Sequence, residues 1–133
     1  MIKWTITYTD YNDDEVTEDF YFHYNKAELM EMNFSADGAY SNFIRRITNQ
    51  RDYRVLGEEF KKLILGAYGV KTDDGKSFRK SEELSKAFEQ SEAYATLYME
   101  LISDPDKLAK FTRGIVPKDL QGATEQALTS AKK

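Results

Sequence analysis

"IKWTITYTDYNDDEVTEDFYFHY", residues 2–24, decides the fold. Ile2, Trp4, Ile6 and Tyr8 alternate with Lys3, Thr5, Thr7 and Thr9. A period of two in β-branched and aromatic residues is the pattern of a half-buried strand. Val16, Phe20, Phe22 and Tyr24 repeat it, interrupted by Glu18, with Thr17, Asp19, Tyr21 and His23 on the other face. Between the two runs lie the turn formers Asp10-Tyr11-Asn12-Asp13-Asp14. The stretch reads as an antiparallel hairpin with one apolar face. A lone hairpin is marginal in water, so that face must lie on something.

What covers it is helical. Asn25-Lys26-Ala27-Glu28 has the form of a capping box, opening a short helix with Leu29, Met30 and Phe34. Ser35-Ala36-Asp37-Gly38 breaks it. Tyr40, Phe43, Ile44 and Ile47 then fall on one helix face. Asp52 is placed to cap a further helix bearing Leu56, Phe60, Leu63, Ile64 and Tyr68, with Gly69 placed to end it. Asp73-Asp74-Gly75-Lys76 is a turn with room for tiny flanking strands. The longest helix is predicted from about Ser81 to Ile102, with Leu84, Phe88, Tyr94, Leu97, Tyr98 and Leu101 as its stripe. Asp104-Pro105 restarts the chain as N-cap and first helical residue. Leu108, Phe111 and Ile115 face inward before Pro117.

These elements predict an α+β fold, an N-terminal antiparallel β-hairpin followed by a mainly α-helical bundle of about four to five helices. A chain of 133 residues suits one domain with a real core. We expect that domain over 1–117. Residues 118–133 carry two Leu and no aromatic, and are expected to form a flexible C-terminal tail.

Composition narrows the function. The net charge of −4 argues against a general phosphate-backbone binder, and no apolar run is long enough to span a membrane. Cys is absent, which removes disulfides and thiolate metal sites and makes cytosolic folding the simplest reading. Aromatic residues reach 14%, with nine Tyr and eight Phe, which suits ring-built cores and contact surfaces.

The acidic loop invites a test for calcium. Asp10, Asn12 and Asp14 match the first three ligand positions of an EF-hand loop. Glu15 stands where that loop needs Gly, and Tyr21 where it needs a bidentate Glu. A solvated hairpin turn is the better reading, and the same holds for Thr72-Asp73-Asp74-Gly75. His23, the single His, sits on the polar face of a strand with nothing in the sequence to pair it with a nucleophile. Gly66-Ala67-Tyr68-Gly69 lacks the lysine-serine ending of a phosphate loop. Glu58-Glu59 and Glu82-Glu83 fall in early helical turns, where the helix dipole accounts for them. No catalytic residue, cofactor site or metal site is therefore predicted. Arg45, Arg46, Arg51 and Arg54 cluster around Tyr53, and Arg and Tyr are favoured at protein contacts.

The stretches "IKWTITYTDYN" and "TEDFYFHYNKAELMEMNFS" resemble the opening of tail assembly chaperones of long-tailed phages, or prophages, of Gram-positive bacteria. "FKKLILGAYGVKTDDGKSFRKSEELSKAFEQSEAY" and "LYMELISDPDKLAKFTRGIVPKDL" extend the resemblance to about Leu120. Those chaperones carry Gly after the Asn of the hairpin turn. Asp13 stands there, and a longer or bulged turn accommodates it. The resemblance implies a non-enzymatic assembly role. It implies binding and solubilising the tape-measure protein, and helping to recruit tail tube subunits through a longer, frameshifted form. It also implies action in the host bacterial cytoplasm and absence from the mature virion. The partners implied are the tape-measure protein, the tail tube protein and, as an option, further copies of the chain, with no nucleic acid and no membrane. The residues proposed to touch the partner are Tyr21, Arg45, Arg46 and Tyr53. Met30, Met32 and Tyr98 could add adaptable contacts, although Met30 and Tyr98 are expected in the core. The alternative is a phage-encoded regulatory module with another protein partner. A metal-dependent hydrolase ranks below both.

Overall fold

The alternation of residues 2–24 resolves into two paired strands, β1 (Ile2–Thr9) and β2 (Glu15–Phe22), joined in antiparallel register from Ile2 opposite Phe22 to Thr9 opposite Glu15. In the computed structural model the described residues are 1–32, 42, 45 and 53–117. Within them follow α1 (Lys26–Glu31), α2 (Tyr53–Ala67), β3 (Tyr68–Lys71), β4 (Phe78–Arg79), α3 (Glu82–Glu89), α4 (Glu92–Ser103) and α5 (Pro105–Gly114). The four strands form one antiparallel sheet in the order β1-β2-β3-β4. The fold is α+β, a hairpin followed by helices, as the sequence predicts.

One face of the sheet is core. Trp4, Ile6, Phe22 and Tyr24 are buried against Leu29, Phe60, Ile64, Phe88, Leu97, Leu101 and Phe111. Rings dominate it: Tyr68 stacks on Phe88 at 4.4 Å, and Phe111 meets both Phe22 and Trp4 edge-on. Each such buried side chain contributes roughly 1.5–3 kcal/mol through burial. The opposite face is polar, with the Thr5 hydroxyl donating to Asp19 and Thr7 paired with Thr17. Glu18, the acidic interruption on the apolar face, is exposed and accepts the Tyr8 hydroxyl.

Turn chemistry closes the hairpin. The Asp10 carboxylate accepts the N–H groups of Asn12 and Asp14, and Asp13 takes φ 62°. Asp13 thereby adopts the left-handed conformation that Gly tolerates best. The Asn25 capping box forms in both directions, with Glu28 N–H donating to Asn25 and Asn25 N–H to Glu28. Asp104 caps α5, with Pro105 as its first residue.

Two boundaries differ from the sequence reading. The long helix predicted over 81–102 is two helices. Gln90 closes α3, and Ser91 opens α4 by accepting the Tyr94 N–H. The break turns the chain so that Phe88 and Tyr94 pack edge-on at 5.7 Å. The Tyr11 hydroxyl donates to the Gln90 carbonyl there. Gly69 does not cap α2, which ends at Ala67 and passes directly into β3. A Cβ on Gly69 would stand 2.7 Å from the Phe78 ring and 2.8 Å from the Arg79 carbonyl, so glycine lets β4 approach. The predicted breaker at 35–38, the Asp52 cap and the tail over 118–133 lie outside the described residues, and of the helix predicted to carry Tyr40 to Ile47 only Asn42 and Arg45 are described, both helical.

Candidate partner-binding groove

α2 and α4 each bury one row of side chains and leave the next row at the surface. In α2, Phe60, Leu63, Ile64 and Ala67 are buried. In α4 the buried row is Ala93, Leu97 and Leu101. Tyr94 and Tyr98 occupy the flanking row and are half-buried, and Met99 beyond them is 61% exposed. Between the two helices these flanks leave a groove of about 520 Å³, lined by Gly57, Glu58, Lys61, Tyr94, Tyr98 and Met99, with Ala95 beside them.

The groove depends on small residues and rings. A Cβ on Gly57 would stand 2.7 Å from the Tyr98 hydroxyl, so glycine leaves room for that ring to lie across α2. Tyr98 also packs on Phe60 at 6.0 Å and on Tyr94 at 5.9 Å. Burial, followed by Tyr98 and Glu89, pushes the Tyr94 phenol up to about 12. The Tyr94 ring therefore stays neutral at physiological pH. Lys61 forms an ion pair with Glu89 at one end of the groove, while Glu58 is exposed on the rim. The chemistry on offer is apolar and aromatic contact with an adaptable thioether, bordered by charge.

The residues singled out from sequence fall in several places. Tyr21 is half-buried on the polar face of the sheet, with the Lys71 ammonium 5.1 Å from its ring centroid. Its face is opposite that of its buried neighbour Phe22, so Tyr21 does not join the groove. Arg45 is helical and exposed. Arg46 lies outside the described residues, as does the side chain of Tyr53, the first residue of α2. Met30 was expected in the core but is 64% exposed, because six-residue α1 buries only Leu29. Met32 is also exposed. Tyr98 belongs partly to the core and partly to the groove. Sequence reasoning missed Gly57, Lys61 and Met99. The available signal was Met99 itself, an apolar side chain off the stripe of its helix.

The fold and the groove together define a small α+β domain with a candidate surface for another macromolecule. A family model described as phage tail assembly chaperone matches residues 1–133, and the chain belongs to that family. No curated protein and no solved structure matches it. Membership gives the chain a tail assembly chaperone role, implies protein partners in the phage tail and a non-enzymatic mode of action, and places that action during assembly rather than in the virion. Among the described residues no helix is long and apolar enough to cross a membrane.

Proposed function

We propose that this chaperone binds the tape-measure protein and holds it soluble until the tail tube polymerises around it, without catalysis. The match along residues 1–133 carries this reading. The α2–α4 groove supports it physically: an adaptor for apolar segments needs exposed rings and methionine rather than an active site. A second surface would be formed by Arg45, Arg46 and Tyr53, with Tyr21 as a further contact. Residues 1–117 would be the chaperone domain and 118–133 a flexible tail. In a longer, frameshifted form that tail would link the domain to an extension recruiting tail tube subunits. The setting would be the host cytoplasm of a Gram-positive bacterium infected by a long-tailed phage or carrying a prophage.

The test is co-expression with a tape-measure protein from the same phage genome. Wild-type chain should bring that protein into the soluble fraction and co-purify with it. If the two never associate and the tape-measure protein stays insoluble, the reading fails.

A further inference from the structure

Residues 23 and 24 fasten the end of β2 to two other parts of the fold through three hydrogen bonds. The His23 N–H donates to the Ala67 carbonyl at the end of α2, at 2.8 Å. The Tyr24 N–H donates to the Ile115 carbonyl just past α5, at 2.6 Å, and the Tyr24 hydroxyl donates to the Leu63 carbonyl of α2, at 2.7 Å. Phe22 and Tyr24 on either side are core residues. The His23 imidazole is therefore held between two anchored neighbours.

Its Nδ1 is buried and is the one buried side-chain polar atom without a hydrogen-bond partner among the described residues. Three charged groups act on the ring: the amino terminus ahead of β1, Lys80 after β4, and Glu28 of α1. Glu28 is the only anion of the three, and its two oxygens are engaged. One accepts the Asn25 N–H at 3.0 Å and the other the Lys80 ammonium at 2.5 Å. Lys80 in turn lies 4.5 Å from the Tyr24 ring centroid, which fixes it over the same junction.

A neutral imidazole fits this site and a charged one does not. In the imidazolium both ring nitrogens are donors. Nδ1 would then be a buried N–H with no acceptor, and the ring would add a third cation around one occupied carboxylate. We infer that His23 is an acid-sensitive latch, whose protonation loosens the attachment of β2 to α2 and to the end of α5.

The direction of the linkage follows. Burial first, then the amino terminus and Lys80, hold the imidazole below its ordinary value of 6.5, with Glu28 opposing. The unfolded chain therefore takes up the proton first. The latch is fully closed above about pH 6.5, and its stabilisation is lost as pH falls from there toward the folded value.

His23 is the single histidine, so its ring signals in an NMR titration of the full chain need no assignment. The expected midpoint lies below 6.5. The amide protection factors of His23 and Tyr24 should fall by about tenfold for each pH unit across that window, the slope for one linked proton. In His23→Gln their protection should not change with pH over the same range. A midpoint at or above 6.5, or an equal pH-dependent loss in the Gln variant, would overturn the latch. If that variant does not fold, acetylating the wild-type amino terminus removes one neighbouring cation. The midpoint should then rise, and an unmoved midpoint would overturn the latch equally.

Discussion

The carboxylate of Asp10 accepts the backbone N–H of Asp14 at 3.0 Å, across the turn that their acidic side chains make resemble a cation loop. The same oxygen accepts the Asn12 N–H at 2.9 Å. That oxygen's role is to order the backbone of the turn. Millimolar calcium should therefore leave the melting temperature within about a degree, since a ligand that binds the native state tightly must raise it. A saturable rise of several degrees in a thermal scan would show that the loop holds the ion.

Asp13 carries a conformational cost that glycine would relieve. Its φ of 62° lies in the left-handed region, where an L side chain is disfavoured. Asp13→Gly should be neutral or stabilising by about 0.5 kcal/mol, because part of the relief is offset by the greater freedom of Gly in the unfolded chain. Asp13→Val should cost at least about 1 kcal/mol, since a β-branched residue is a true outlier there. Urea unfolding of the two variants reads out the difference, and equal midpoints would remove this account of the turn.

Met99→Glu tests the groove. Its exposure means that the charge should leave the fold intact, within about 0.5 kcal/mol. If the groove holds a hot spot, capture of tape-measure protein should weaken by at least about 2 kcal/mol. Reversal of Arg45 and Arg46 to Glu tests the other proposed surface in the same pull-down. Full capture by one variant assigns the contact away from its surface, and full capture by both sets the two surfaces aside while the chaperone role stands.

Deletion after Lys118 should change stability by no more than about 1 kcal/mol, because the remaining segment offers little apolar area. Calorimetry of the shortened chain checks this. A broad or strongly lowered transition would show that the segment docks on the core.

Much of this architecture was legible where a local signal and the tertiary fold agree. Strict alternation from Ile2 to Tyr8 specifies which side of the strand is buried, and Asn25 with Glu28 specifies a helix start. The break at Gln90 was missed because Leu84, Phe88, Tyr94, Leu97 and Leu101 read together as one stripe, although Ser91 and Glu92 leave a turn without an apolar residue between Phe88 and Tyr94. Yet Ser91-Glu92 repeats the form of Ser81-Glu82, and Ser caps α4 as it caps α3. Gly69 misled for the opposite reason. Glycine ends helices through its backbone freedom, whereas here it is needed for the space its missing side chain leaves under Phe78. The groove was the least legible. Periodicity puts Tyr94 and Tyr98 on the apolar side of α4, but how far they are covered depends on α2 crossing them at Gly57, a contact between residues distant in sequence.

The close fit of Gly114 against Ile2 has a practical outcome. A Cβ on Gly114 would stand 2.6 Å from the Ile2 side chain, so the first strand and the last described helix meet at their outer ends. Anything fused ahead of Met1 and anything continuing beyond Pro117 start out as neighbours. A donor dye on one end and an acceptor on the other would begin in high energy transfer. Their separation would report, in a single emission ratio, whether the two ends of the fold stay joined when a protein partner binds.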